Sequence, residues 1–164
     1  MPVCIIYHSE TGNTRTVAER LAAATGGDLV EVQDLAGYSK IGMYLKGAPR
    51  AVRGKKADIK PSVIDVSAYD IVVIGSPVWA GNPTPAVNAA VAALRGIEGK
   101  TAFVFCTSRG APGKALETMQ ALLVDRGADV RGGVPFTERD MRNAGAVEAL
   151  ADLVRLPVKE KIVQ

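Results

Sequence analysis

Short, continuously apolar runs alternate along the chain with longer segments in which apolar residues recur every three or four positions. The first pattern is typical of strands buried on both faces of a parallel sheet, and the second is typical of amphipathic helices. Because the two patterns alternate, we expect βαβ units. The apolar runs predict five strands, at residues 3–7, 28–33, 71–75, 101–106 and 129–135.

The periodic segments predict helices at residues 14–25, 84–95, 113–126 and 144–155. Gly26 and Gly27 end the first of these helices, and Pro85 suits the first turn of the second. Residues 34–66 show the weakest pattern, with a short helix expected around residues 38–52. The whole chain, 1–164, is therefore predicted to be a single α/β domain in which helices cover both faces of a doubly wound, five-stranded parallel sheet.

Composition narrows the class of protein further. Hydrophobic residues make up 48% of the 164 residues, which is enough for a core without disulfide or metal staples. The two cysteines, Cys4 and Cys106, lie in separate predicted strands and are expected to be buried, reduced thiols. No apolar run approaches the length of a membrane span, and the first residues do not resemble a signal peptide. We therefore expect a cytoplasmic protein that does not enter a membrane.

The net charge of +3 is distributed unevenly. Residues 40–60 contain seven lysines and arginines but a single acid, Asp58. This segment could be a solvated surface, or it could meet an acidic protein or a nucleotide phosphate. Few aromatic residues lie nearby, which argues against nucleic acid as a partner.

Candidate chemistry begins with residues 8–14, His-Ser-Glu-Thr-Gly-Asn-Thr, which lie between the first strand and the first helix. Hydroxyl and amide groups can donate hydrogen bonds there, and Gly12 allows a tight turn. The free N–H groups at the helix start point into the same space, so the segment is expected to bind a phosphate. An ordinary capped turn is the alternative. For His8, the only histidine, a structural hydrogen bond is favoured over proton transfer.

Three other classes of protein with similar patterns do not fit. No G-x-G-x-x-G follows the first strand, so the dinucleotide-binding fingerprint is absent. Gly99-Lys100-Thr101 resembles the end of a Walker A motif, but the first required glycine is replaced by Leu94. A receiver domain needs an aspartate at the end of the third strand, where this chain has Gly75 and Ser76.

Two further loops follow the third and fourth strands. Residues 75–83 contain Trp79, the only tryptophan, which could lie flat against a heteroaromatic ring or pack in the core. Residues 107–113 are small and polar, and they suit backbone contacts to the edge of a ligand. Arg109 could lie near the pyrimidine side of such a ring or face solvent. Parallel strands end at one edge of the sheet, so these loops are expected to meet the first loop.

These residues resemble the flavodoxin family over essentially the whole chain. Residues 9–14 are similar to its S/T-x-T-G-x-T phosphate loop, and Gly75-Ser76-Pro77-Val78-Trp79 is similar to its second, ring-contacting loop. The resemblance implies a three-layer, flavodoxin-like α/β fold with strand order 2-1-3-4-5, and it implies bound FMN. It places the FMN phosphate on Ser9, Glu10, Thr11, Gly12, Asn13 and Thr14. It places the isoalloxazine ring on Ser76, Pro77, Val78, Trp79, Ala80, Gly81, Thr107, Ser108, Arg109 and Gly110.

The resemblance implies electron transfer with a redox partner protein or with a small electron donor or acceptor. The chain departs from many flavodoxins because it is not acidic, has a basic segment at residues 40–60, and lacks an aromatic residue at 107–113. An open ring face would suit an NAD(P)H-dependent FMN or quinone reductase, so that function is kept as the alternative. A binding module that has lost the flavin is a third reading. No residue is assigned a catalytic or metal-binding role, and a homodimer is left open.

Overall fold

The computed structural model describes residues 1–36 and 57–156. Strands are numbered in chain order as β1 Val3–Tyr7, β2 Asp28–Glu31, β3 Gln33–Asp34, β4 Ile59–Lys60, β5 Ile64–Asp65, β6 Ile71–Trp79, β7 Asn82–Pro83, β8 Leu94–Arg95, β9 Thr101–Ser108 and β10 Asp129–Thr137. Helices are α1 Asn13–Thr25, α2 Pro85–Ala92, α3 Ala115–Asp125, α4 Glu138–Met141 and α5 Ala144–Arg155. The central sheet has the order β2-β1-β6-β9-β10, and these five strands are all parallel.

Apolar side chains cover both faces of this sheet, because alternate residues of a strand point to opposite faces. In β1, Cys4 and Ile6 belong to one core cluster, together with residues of α2 and α3. Val3, Ile5 and Tyr7 belong to a second cluster, together with residues of α1 and α5. The predicted three-layer, doubly wound sheet is thus confirmed, since the strand order equals 2-1-3-4-5 when the five predicted strands are numbered along the chain.

The third predicted strand is longer than its apolar run. β6 continues through Trp79 and pairs antiparallel with β7, so much of the predicted second loop is a hairpin. Its two-residue turn has positive φ at Ala80 (48°) and at Gly81 (76°), as a type I′ turn requires. Alanine is seldom found in that conformation, which is why residues 75–83 did not predict a hairpin. Trp79 therefore ends a strand and does not occupy a loop tip.

Other boundaries differ at the ends of elements. The second predicted strand ends at Glu31, and the chain then forms β3, which pairs antiparallel with β4. The predicted helix 84–95 is shorter, because Thr84 caps α2 and residues 94–95 pair with β5. The expected helix at 38–52 and most of the basic segment at 40–60 lie outside the described residues. Among the described helices, none is long and apolar enough to cross a bilayer.

The two cysteines lie in the core as unpaired thiols, as predicted. Burial raises the pKa of Cys4 and the pKa of Cys106 from 9.0 to about 12. Thiolate is the form that attacks alkylating reagents, so both side chains are expected to be inert in the folded protein. We predict that iodoacetamide at pH 8 leaves native protein unmodified over a time in which protein unfolded in urea is labelled twice, as mass spectrometry would show.

The raised pKa of the two thiols also predicts a pH effect on the stability of the protein. In the unfolded chain the thiols ionise near pH 9, whereas in the folded protein they stay protonated to about pH 12. The folded state therefore binds more protons between these values, and the free energy of unfolding falls as the pH rises through that range. Below pH 9 these two groups give no pH dependence. In the labelling experiment, rapid modification of native protein by iodoacetamide at pH 8 would contradict the buried, protonated state of the two thiols.

Candidate functional site

The loops that follow β1, β6 and β9 surround one cleft at the carboxyl edge of the sheet, where doubly wound folds bind their ligands. The cleft has a volume of about 480 Å³, which is in the range of small-molecule sites. It is lined by Glu10, Thr11, Asn13, Pro77, Val78, Trp79, Ala80, Gly81, Thr107, Ser108, Arg109, Gly110 and Ala111. Three segments that are distant in sequence thus form a single site.

The first loop is organised around the Ser9 hydroxyl. Ser9 Oγ accepts hydrogen bonds from the backbone N–H groups of Gly12 and Arg15, both at 3.2 Å. A hydroxyl that accepts two bonds still has a proton to donate. Gly12, at φ 96°, directs the chain into α1. The N–H groups of the first turn of a helix have no acceptor within the helix, so this end of the cleft offers hydrogen-bond donors to an anion.

Thr14 is placed differently from the exposed residues of this loop. Its side chain is only 1% exposed, and its Oγ1 lies 2.8 Å from Oγ1 of Thr107. The pair joins the first turn of α1 to the end of β9, beneath the cleft. Either hydroxyl can donate, so one proton of the pair remains for another acceptor. Thr14 therefore links the first and third loops, whatever contact it makes with a ligand.

The second loop is held in shape by Ser76 and Thr84. Ser76 is fully buried, and its Oγ donates to the carbonyl of Pro77 at 2.8 Å and accepts from the Thr84 N–H at 3.1 Å. These bonds fix the strand end that presents Pro77 and Val78 to the cleft. At the turn, the N–H of Lys114 donates to the carbonyl of Gly81 at 2.7 Å, which ties the second loop to the third.

Trp79 lies against His8 as well as on the cleft. The centroids of their rings are 5.9 Å apart and the ring planes meet at 77°, an edge-to-face arrangement. The indole is 7% exposed, so most of it packs inside the protein while a small part contributes to the lining. Both predicted roles, packing and ligand contact, are compatible with this position.

His8 joins two of the loops through both ring nitrogens. Its Nδ1 lies 3.0 Å from Oγ1 of Thr84, and its Nε2 lies 3.4 Å from Oε2 of Glu10. The side chain is almost completely buried, whereas that of Glu10 is 30% exposed and lines the cleft. These contacts support the structural role that the sequence favoured for His8.

The third loop brings small polar groups and one cation to the rim. Ser108 Oγ donates to the carbonyl of Gly110 at 3.2 Å. Arg109 is 91% exposed, and its Nε lies 3.4 Å from Oε1 of Glu138, the first residue of α4. Because this pair is in water and the acid offsets the cation, Arg109 is expected to have only a small electrostatic effect on a ligand in the cleft.

Twelve of the sixteen predicted binding residues line the cleft, and the other four support it. Ser9, Gly12, Thr14 and Ser76 shape the loops through the bonds described above. Ala111 lies in the predicted third loop but was not among the predicted ring contacts, and Glu138, whose pairing with Arg109 spans two elements, was missed. No local pattern indicated Glu138. Thr84 was expected inside a helix and instead caps it while bonding His8.

Fold and cleft together define a doubly wound α/β protein with a site for a ligand that has an anionic end and a flat ring. The α1 end offers hydrogen-bond donors, and the other walls combine Trp79 and the turn at residues 80–81 with the small third loop. FMN has this shape, so the residues present fit it. Among residues 1–36 and 57–156, no group of three or more His, Cys, Asp or Glu side chains is arranged to hold a metal ion.

Comparison with known proteins agrees with this class. Residues 2–126 match the family model described as flavodoxin. Flavodoxin of Haemophilus influenzae is 29% identical over 77 residues, which cover 47% of this chain but only 31% of that protein's length. A Bacteroides eggerthii protein has a similar structure, with a TM-score of 0.73, 25% identity and coverage of 95% of this chain and 99% of that one.

A flavoprotein from Lactobacillus acidophilus, solved in complex with FMN, gives a TM-score of 0.65 at 26% identity. The alignment covers 82% of this chain and 92% of the Lactobacillus chain. Since the family model spans most of the present sequence, this chain belongs to the flavodoxin family. FMN is the cofactor that the family match and this complex support.

Proposed function

We propose that this protein binds one FMN non-covalently in the cleft and works as an electron carrier. The observation that carries the proposal is that three loops meet at the carboxyl edge of the sheet. One end of the cleft offers hydrogen-bond donors, and Trp79 and the turn at residues 80–81 form the other end. The family supplies the identity of the ligand. When bound, FMN supplies the one- or two-electron redox chemistry, while the protein sets its orientation and access.

The first loop would hold the phosphate and the other two would hold the ring. Ser9, the backbone N–H groups of Asn13 and Thr14, and the side chains of Thr11 and Asn13 would donate to phosphate oxygens. Backbone groups of residues 77–81 and 107–110 would reach the edges of the ring. Glu10 is the one acid in the first loop, so its negative charge must be offset for a phosphate to bind there.

Partners are part of the proposal. The cleft opens at the surface, and Arg109 and Glu138 stand on its rim with opposite charges, so the described rim does not have the uniformly acidic character of many carriers. A redox partner protein, or a small electron donor or acceptor, would meet FMN at this opening. We place this exchange in the cytoplasm, which suits the two reduced thiols.

One observation favours a second function, that of an NAD(P)H-dependent FMN or quinone reductase. The third-loop wall consists of Thr107, Ser108, Arg109, Gly110 and Ala111, with no aromatic side chain to cover that side of a bound ring. A nicotinamide or quinone could therefore stack there. Rapid anaerobic mixing of the FMN-loaded protein with NADPH or NADH distinguishes the two functions. Bleaching of flavin absorbance on a millisecond-to-second timescale supports the reductase, and its absence supports the carrier.

Titration of protein freed of flavin tests the binding proposal itself. We expect FMN to bind with one-to-one stoichiometry, observed as quenching of FMN fluorescence. Riboflavin is expected to bind at least about tenfold more weakly, because it lacks the phosphate that the α1 end would hold. Equal affinities for FMN and riboflavin would contradict the assignment of the first loop to phosphate. A protein that binds neither flavin would contradict the proposed function.

A further inference from the structure

Glu10 presents an electrostatic problem for the proposed site. Its carboxylate lines the cleft, within the loop that would hold a phosphate dianion, and like charges at close range repel. The Glu10 carboxylate contacts His8, whose Nε2 lies 3.4 Å from Oε2. His8 is 2% exposed, so its ring stays inside the protein. It therefore contacts the Glu10 carboxylate from the buried side of the cleft.

A chain of polar contacts runs through His8. A carboxylate has no proton to donate, so we assign the proton of the neutral ring to Nε2, which faces Glu10 at 3.4 Å, and Nδ1 is then an acceptor. The Thr84 hydroxyl can donate to Nδ1 at 3.0 Å, and it accepts from the Val87 N–H at 3.4 Å. The chain therefore begins at the N-terminus of α2 and ends at the carboxylate in the first loop.

We propose that His8 is a positioning residue that determines how strongly the site distinguishes FMN from riboflavin. Through Nε2 it keeps the Glu10 carboxylate at one position in the cleft lining, which sets how strongly that carboxylate repels a bound phosphate. Through Nδ1, His8 also contacts Thr84, whose N–H donates to the Ser76 hydroxyl of the second loop. The inference rests on the proposed function, because it concerns the ligand that the cleft would bind.

The two contacts of His8 can be removed separately. An asparagine amide reaches the position of Nδ1 but not that of Nε2, so His8→Asn keeps the Thr84 bond and releases Glu10. A glutamine amide reaches the position of Nε2, so His8→Gln keeps Glu10 and loses Thr84. Both variants are polar, and both lose the ring contact with Trp79, so that loss is common to the two and does not affect the comparison between them.

We expect His8→Asn to weaken FMN binding about tenfold while riboflavin affinity stays within about twofold, because only FMN has a phosphate for the released carboxylate to repel. Adding Glu10→Gln to His8→Asn should restore FMN affinity to within about threefold of wild type. Glu10→Gln alone should raise FMN affinity by a smaller factor than the same change does in the His8→Asn background. His8→Gln should weaken both ligands by the same factor, because it loosens the ring side of the cleft.

The measurements are fluorescence titrations of flavin-free wild type and variants with FMN and with riboflavin. Equal losses for both ligands in His8→Asn would overturn the inference, since a merely structural role predicts that result. A tenfold gain in FMN affinity from Glu10→Gln alone would also overturn it, and this exposed substitution does not depend on the fold tolerating a change at His8. Wild type that binds no FMN would instead refute the proposed function.

Discussion

Replacing Gly113 with alanine is expected to lower the free energy of unfolding by about 3 kcal/mol and to weaken FMN binding more than about tenfold. A Cβ atom at this position would lie 2.4 Å from Cα and 2.7 Å from the carbonyl oxygen of Gly81. These are backbone atoms, so no side-chain rotation can relieve the overlap. The second and third loops would have to separate, and both of them line the cleft.

Part of this effect would arise from backbone conformation alone, since Gly113 has φ +55°. Gly99→Ala supplies the matched control. Gly99 also has a positive φ, +74°, but a Cβ atom there would have no neighbour within 4 Å. The control is expected to cost about 1 kcal/mol and to leave FMN affinity unchanged. Urea denaturation and FMN titration of both variants measure the difference. If Gly113→Ala and Gly99→Ala lowered the free energy of unfolding equally, the close contact between Gly113 and Gly81 would contribute nothing to the effect.

The elements predicted most closely from sequence are those with a dense local signal. β1 matches its apolar run because all five residues are buried, and α5 matches its periodic pattern at residues 144–155. The strand order came from the resemblance to the flavodoxin family, since the alternation of strands and helices is compatible with more than one doubly wound order. The meeting of the three segments at one cleft was also predictable, because the carboxyl ends of parallel strands lie at one edge of the sheet.

The contacts that organise the cleft were not predictable, because they join residues distant in sequence. Thr14 pairs with Thr107 beneath the cleft, and His8 reaches Thr84. The turn at Ala80 has a residue that disfavours positive φ, so local preference argued against the hairpin that forms. Tertiary contact compensates for this preference, since the carbonyl of Gly81 accepts a hydrogen bond from Lys114 in the third loop.

Ser9→Ala is expected to weaken FMN binding about thirtyfold and riboflavin binding less than about threefold. The Ser9 hydroxyl accepts from the N–H groups of Gly12 and Arg15, and alanine would leave both donors without this partner. The loop that organises the phosphate end would then lose its internal support, and the hydroxyl proton offered to the phosphate would be lost as well. Ring contacts come from the other two loops, so riboflavin should be affected much less.

Ser108→Ala is the appropriate comparison, because Ser108 also lies at the cleft but belongs to the third loop. Its hydroxyl donates to the carbonyl of Gly110 at 3.2 Å, so its loss should weaken FMN and riboflavin by the same small factor. Fluorescence titration with both ligands gives the ratio of affinities for each variant. If Ser9→Ala lowered both affinities equally, the first loop would be supporting the whole cleft and would not be selecting the phosphate. A fall in the FMN-to-riboflavin ratio confined to Ser9→Ala would instead assign phosphate recognition to the turn between β1 and α1.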